Sequence, residues 1–349
     1  MIFNIFHDSG DRIHGTVIPD NPAVVCNIRV IAGGREVATF PTNELNKGVL
    51  DLRLHYTGLV DFTITEQLVP DLLTFDDLEL HDADTDILFY RRLQPSMLLG
   101  KYLRLETHLL PLRRLDEAVK SRFQMHYSGI EKLGLNFTRQ IFLLSQDSIY
   151  ASGRILIKNF MYCVDKGFKF LVTLHDPYVE LAERVLVLNN IKKVGTSILG
   201  ERDAIHLRSA IEYAASLPMI SEKVLKRALE RMPADVINVL ANPVVRQLST
   251  SDLDEPLGKG SVAQALDFLS QSTIVGIRSD PGIFARSLGE LLNLDHMSLP
   301  VAPPFPKIIE LAEVFRSWRF LEVILEKDLE LYHCVLGAHQ KAYRSDEQF

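Results

Sequence analysis

Three stretches of the chain carry side chains able to bind an anion or move a proton, and each sits at or just after a run that reads as a strand. Glu106-Thr107-His108-Leu109-Leu110-Pro111-Leu112-Arg113-Arg114 follows Tyr102–Leu105 and opens a helix. Two arginines near a helix N-terminus can hold a phosphate or sulfate through paired N–H donors and the helix dipole. The alternative is a solvated basic turn beside a buried, hydrogen-bonded His108. Ser145-Gln146-Asp147-Ser148-Ile149-Tyr150-Ala151-Ser152-Gly153-Arg154 leads into a helical stretch with Lys158. Gly153 lets a backbone approach a ligand, and Arg154 and Lys158 are expected one turn apart on one helical face. A helix start capped by hydroxyls explains the same residues, and the GxxxxGK[ST] spacing of a phosphate loop is absent. Leu174-His175-Asp176-Pro177-Tyr178 ends the most apolar run. Asp176 can cap the next helix with Pro177 at its first position. His175 is then a base, a donor to an anion, or a satisfied structural histidine.

Ligands of an open parallel sheet sit at the carboxyl ends of its strands, so these stretches matter only if the elements around them build such a sheet. From Leu93 on, the runs Tyr102–Leu105, Gln140–Leu144, Phe168–Leu174 and Thr273–Gly276 read as strands. Apolar spacing near 3.6 predicts helices over Leu112–Phe123, Ile155–Val164, Val179–Leu188, Glu201–Leu217, Ser221–Leu240, Ser261–Leu269 and Gly282–Leu292. Beyond the proline-rich stretch at 300–306, one last helix is expected over Lys307–His339, packed back on the sheet. This alternation predicts an α/β domain with a parallel sheet.

Before it, Ile13–Arg92 is a series of short apolar runs broken by Gly, Pro, Asn and Asp. Gly33-Gly34 lies between two β-branched runs, as a two-residue hairpin turn with positive φ requires, and Asp84-Thr85-Asp86 lies between two more. A small antiparallel β-sandwich is therefore expected over residues 1–93 and the α/β domain over 94–349. Such a division suits 349 residues, because one core seldom grows past roughly 250–300.

A net charge of −7 argues against a generic nucleic-acid binder, which needs excess Lys and Arg. Cys26, Cys163 and Cys334 are odd in number and far apart, so neither a disulfide framework nor a CxxC metal knuckle is expected, and no metal site. With no basic, apolar leader and no long uninterrupted apolar segment, neither secretion nor membrane spanning is expected, and the chain reads as cytoplasmic.

Four segments in order, Ser148–Arg154, Lys166–Pro177, Asn242-Pro-Val-Val-Arg-Gln-Leu248 and Glu326-Lys-Asp-Leu-Glu-Leu-Tyr332, resemble carbohydrate sulfotransferases related to the heparan uronyl 2-O-sulfotransferases. Ile274-Val275-Gly276-Ile277-Arg278 resembles that family's penultimate element, and the likeness covers roughly residues 100–340. The N-terminal region looks like the β-sandwich modules attached to bacterial polysaccharide-modifying transferases. The resemblance implies a P-loop-type sulfotransferase-like fold, phosphoadenosine phosphosulfate as donor and a bacterial glycan as acceptor. For sulfate transfer by this chain, His108 or His175 is expected as base, with Arg113, Arg114, Arg154, Lys158 and Arg246 around the donor. Yet the family's Lys-and-Gly loop for the 5′-phosphosulfate corresponds here to Thr107-His108-Leu109-Leu110-Pro111-Leu112, with neither residue. The strand-end Arg is His175, the later Arg and Ser are Glu180 and Glu183, and the family's usual histidine base falls on Gly153-Arg154. Carboxylates repel an anionic donor, and an arginine cannot accept a proton. Three expectations remain open: sulfate transfer, an inactive glycan-binding or scaffold protein, and a transferase using another phosphorylated donor.

Overall fold

In the N-terminal region, alternation of side chains decides which residues enter the core. Along the strand Leu59–Thr65, Val60, Phe62 and Ile64 are buried while the residues between them are half-exposed, the period of two that a one-faced antiparallel strand requires. The computed structural model, which describes residues 1–195, 198–219 and 221–344, contains two four-stranded antiparallel sheets here. The first is built from β1 (Ile2–Asp8), β2 (Arg12–Ile18), β5 (Glu44–Leu45) and β6 (Leu59–Thr65), in the order β1-β2-β6-β5. The second takes β3 (Asn27–Ala32), β4 (Arg35–Pro41), β7 (Glu79–Asp82) and β8 (Leu88–Arg91), in the order β4-β3-β7-β8. Phe89 of β8 meets Phe3 of β1 and Phe62 of β6 at ring-centroid distances of 6.0 and 6.1 Å, which closes the two sheets into a sandwich. The hairpin at Gly33-Gly34 forms as expected, with φ of 59° and 70° that side chains with a Cβ adopt at a cost.

A five-stranded sheet follows, from β9 (Gly100–Leu105), β10 (Met125–Ser128), β11 (Ser148–Gly153), β12 (Phe168–Leu174) and β13 (Ile274–Ile277), in the order β10-β11-β9-β12-β13. β12 and β13 pair in parallel, and helices fill the connections, so the domain is α/β. From β9 the chain runs out to β10, returns to β11 beside β9, then crosses to β12 and β13. The direction of winding therefore reverses between β9 and β12, and the crevice at their carboxyl ends is the place where such sheets bind ligands.

Several expected elements differ. Of the run Gln140–Leu144, all but Leu144 belongs to the helix Leu135–Leu143, because Phe137, Thr138, Ile141 and Phe142 are buried at helical spacing. The missing strand is Ser148–Gly153, all six residues of which are buried. Its Ser, Ala and Gly residues disguise it, since it lies between β10 and β9 and is covered on both faces. Ile155–Val164 is a 3₁₀ segment, Ile157–Cys163, so Arg154 precedes it and does not share a helical face with Lys158. Glu201–Leu217 divides into Glu201–His206 and Arg208–Ala215. Ser221–Leu240 divides into Glu222–Leu229 and Ala234–Leu240, where Pro233 forbids continuation. Lys307–His339 is three helices, Pro306–Arg316, Arg319–Ile324 and Glu326–Arg344, because the chain turns to bury Trp318 against Phe315. The first of these packs on Pro177–Asn189 in the main helical core.

The chain forms two compact units: one of Met1–Lys101, Val119–Tyr127 and Gly134–Ala151, the other of Tyr102–Ala118, Ser128–Leu133 and the chain from Ser152 on. Among the described residues, no helix is long and apolar enough to cross a membrane, and all three cysteines are free. Phe89→Ala removes the ring shared by both sandwich sheets and is expected to cost about 3–5 kcal/mol. Urea unfolding followed by a probe in the N-terminal unit checks it, and a loss below about 1 kcal/mol contradicts the packing described.

Candidate functional site

β9 ends in Arg104 and Leu105 and continues into Glu106-Thr107-His108, while β12 ends at Leu174 and continues into His175-Asp176. Asp176 caps the helix Pro177–Asn189, its side chain accepting from Tyr178 N at 2.9 Å with Pro177 at the first position. The strand order thus brings His108 and His175 together, with ring centroids 4.1 Å apart and nearly perpendicular planes. Both are buried, as are Glu106, Glu180 and Glu183.

Two amides of the loop between β9 and its helix are taken by side chains of the same chain. Glu183 Oε1 accepts from Leu110 N at 2.9 Å, and Glu106 Oε2 accepts from Leu112 N at 3.1 Å. The chain's own carboxylates therefore take amides on this loop. Arg104, 1% exposed, donates to Glu106 Oε2 at 2.6 Å and to both oxygens of Asp116 at 2.9 Å. Thr107 Oγ1 donates to Thr173 O at 2.6 Å, leaving its oxygen to face His108 Nδ1 at 3.0 Å. His108 Nε2 lies 3.1 Å from Thr173 Oγ1.

Electrostatics match this closed arrangement. Burial holds the His108 imidazole at about 3, with Glu106 opposing, and holds His175 well below its ordinary 6.5. Both are neutral at pH 7, so their 3.7 Å approaches to Glu106, Glu180 and Glu183 are not ion pairs. Burial, then the neighbouring Glu180, pushes Glu183 up to about 8. Six buried carboxylates (Glu106, Asp116, Glu180, Glu183, Asp203, Asp328) share this region with four buried guanidiniums (Arg104, Arg154, Arg184, Arg278). His108, His175 and Glu180 each present a donor atom within 4.8 Å of the other two, a grouping suited to a metal ion. Sequence reasoning missed it because strand order, not spacing, makes it.

Beside this closed site, a cavity of about 50 Å³ is lined by Arg154, Arg184, Arg202 and Arg246, with His206 and Gln247. At roughly 10–15 Å³ per water, it admits a few waters or one small oxyanion group. Arg154 donates through Nε to Asp203 at 2.7 Å and through Nη1 to His108 O at 2.7 Å, while Nη2 has no partner. Arg246 Nη1 holds the carbonyls of Leu253 and Glu255, and its Nε has no partner. Burial lowers the pKa of His206. Arg184 and Arg202 were not among the residues singled out from the sequence, where nothing marks them.

Of the expected donor residues, Arg154 and Arg246 meet at this cavity. Arg113 and Arg114 are exposed at the start of Arg113–Lys120, and Lys158 is exposed near Glu255, at 3.9 Å. None of these three lines the cavity.

The two remaining resemblance motifs grip each other. Asn242 Oδ1 accepts from Lys327 N and Asp328 N, while the Asp328 carboxylate accepts from Val244 N and Val245 N. Burial raises Asp328 from 3.8 to about 7. Between these values the folded chain keeps a proton that the unfolded chain has lost, so stability falls as pH rises. The stability of the protein relative to Asp328→Asn is expected to decline by up to about 1.4 kcal/mol per pH unit between about pH 4 and 7. Urea unfolding across that range checks it, and parallel profiles for the two proteins contradict it. Comparison with protein-family models, curated proteins and solved structures returns no match.

Proposed function

We propose that the α/β unit is a sulfotransferase-like binding protein that recognises an anionic group of a glycan in the arginine-lined cavity and does not transfer sulfate from the loop after β9. One observation carries this reading. The N–H groups of Leu110 and Leu112, on the loop that the family resemblance assigns to the donor phosphosulfate, are already bonded to Glu183 and Glu106. A donor would have to displace both carboxyl groups, leaving Glu183 buried without its amide partner and Glu106 with Arg104 alone, which is unfavourable.

The cavity offers the opposite balance. Four guanidiniums stand around it against the carboxylate of Asp203, and Arg154 Nη2 and Arg246 Nε have hydrogens to give. Planar paired donors suit a sulfate, phosphate or carboxylate group. The glycan as carrier of that group rests on the family resemblance.

A second reading is transfer from a different phosphorylated donor seated in the same cavity. It is favoured by His206, which lines the cavity and whose depressed pKa leaves it neutral and able to accept a proton at pH 7.

Thermal unfolding with two ligands separates the readings. A sulfated oligosaccharide is expected to raise Tm, a ligand at 100 times its Kd adding about 2.7 kcal/mol, whereas millimolar adenosine 3′,5′-bisphosphate leaves Tm unchanged. Arg202→Ala, at the cavity rim, is expected to weaken oligosaccharide binding roughly 10- to 100-fold. A bisphosphate shift that Arg202→Ala abolishes supports the second reading. No shift with either ligand sinks both.

A further inference from the structure

We propose that His108, His175 and Glu180 form a structural site for a divalent cation, zinc foremost, that ties the carboxyl ends of β9 and β12 to the helix Pro177–Asn189. Two imidazoles and a carboxylate are a donor set suited to zinc and its borderline neighbours. Each of the three residues offers one donor atom within 4.8 Å of the others. His108 Nδ1 and Glu180 Oε2 are 3.7 Å apart. That is too long for a hydrogen bond. It suits two ligands of one ion, because donors about 2.0–2.2 Å from a tetrahedral centre stand roughly 3.4 Å from each other.

The polar atoms left over point the same way. Glu180 Oε2 and His175 Nε2 have no hydrogen-bond partner, on side chains 2% and 1% exposed. Buried polar atoms ordinarily find a partner, and two orphans in one three-residue group are what a bound cation accounts for. The outer contacts a metal site needs are also present. Glu180 Oε1 is held by Arg184 Nε at 2.6 Å, which orients the carboxylate. His108 Nδ1 faces Thr107 Oγ1 at 3.0 Å, and an ion takes that nitrogen in the other tautomer, in which the ring keeps a bond from Nε2–H to Thr173 Oγ1 at 3.1 Å. Glu183 Oε2, 3.7 Å from His175 Nε2, is the nearest candidate for a fourth ligand.

The role is structural because the small cavity against His175 measures about 10 Å³, space for about one water and no substrate.

The test is metal content of the full chain, expressed in zinc-supplemented medium, purified without a metal-affinity step and dialysed. About one zinc per chain is expected, retained in His206→Ala and falling below about 0.1 in Glu180→Gln and His175→Ala. Should those variants fail to fold, cobalt substitution of the unaltered chain decides, with a tetrahedral nitrogen–oxygen absorption band expected. Zinc below about 0.1 per chain in the unaltered protein overturns the proposal, as does one zinc per chain in both site variants or a cobalt-loaded chain without that band.

Discussion

A guanidinium 1% exposed has to be neutralised inside the fold, and Arg104 at the end of β9 imposes that demand on everything around it. Leaving such a charge unpaired costs several kcal/mol. Asp116 answers from the following helix with both oxygens, and Glu106 answers from the strand end. Each partner then recruits others: Ser152 Oγ donates to Asp116 Oδ2 at 2.9 Å, and Gln247 Nε2 donates to Glu106 O at 2.9 Å. One buried cation thus fixes a strand, the loop and helix after it, the end of β11 and the helix Pro243–Ser249. Opening the loop between β9 and its helix therefore breaks several of these buried bonds at once.

That constraint explains the acidic residues at the switch point. A loop whose amides do not meet a ligand anion needs other acceptors, since buried N–H groups are rarely left alone. Glu183 and Glu106 supply them for Leu110 and Leu112. The absence of Lys and Gly from this loop and the presence of Glu183 on the facing helix go together, with internal carboxyl groups meeting the loop's amides. Glu180, one turn earlier, is held by Arg184 and points its other oxygen at the histidines. Arg154 and Arg246, each with one buried N–H group lacking a partner, line the neighbouring cavity.

How much of this was legible follows from which interactions are local. The Gly33-Gly34 hairpin, the strands β9, β12 and β13, and the Asp176-Pro177 helix start depend on a few neighbouring residues, and the sequence displays them. β11 was hidden because a strand buried on both faces shows no alternation, and its small residues mimic a turn. The helix Leu135–Leu143 was hidden by a β-like run of Ile, Phe and Leu. His108 and His175 could be named separately, yet their contact depends on β9 lying beside β12. Arginine spacing could not sort exposed Arg113 and Arg114 from Arg154, whose orientation is set by Asp203, far along the chain.

The segments that carry the family resemblance also have an architectural reason to persist. Asn242 takes a left-handed conformation, with φ of 49°, and its side chain accepts two amides at the start of Glu326–Arg344. Asp328 returns the favour by accepting two amides at the start of Pro243–Ser249. Each helix start satisfies the orphan N–H groups of the other, and breaking either half exposes both. Gln247 then anchors this pair to Glu106 and hence to Arg104. Residues that cap each other's helices in this way serve the framework whatever chemistry the fold carries, so the Asn-Pro and Asp-Leu-Glu-Leu-Tyr segments speak for the scaffold and not for a reaction.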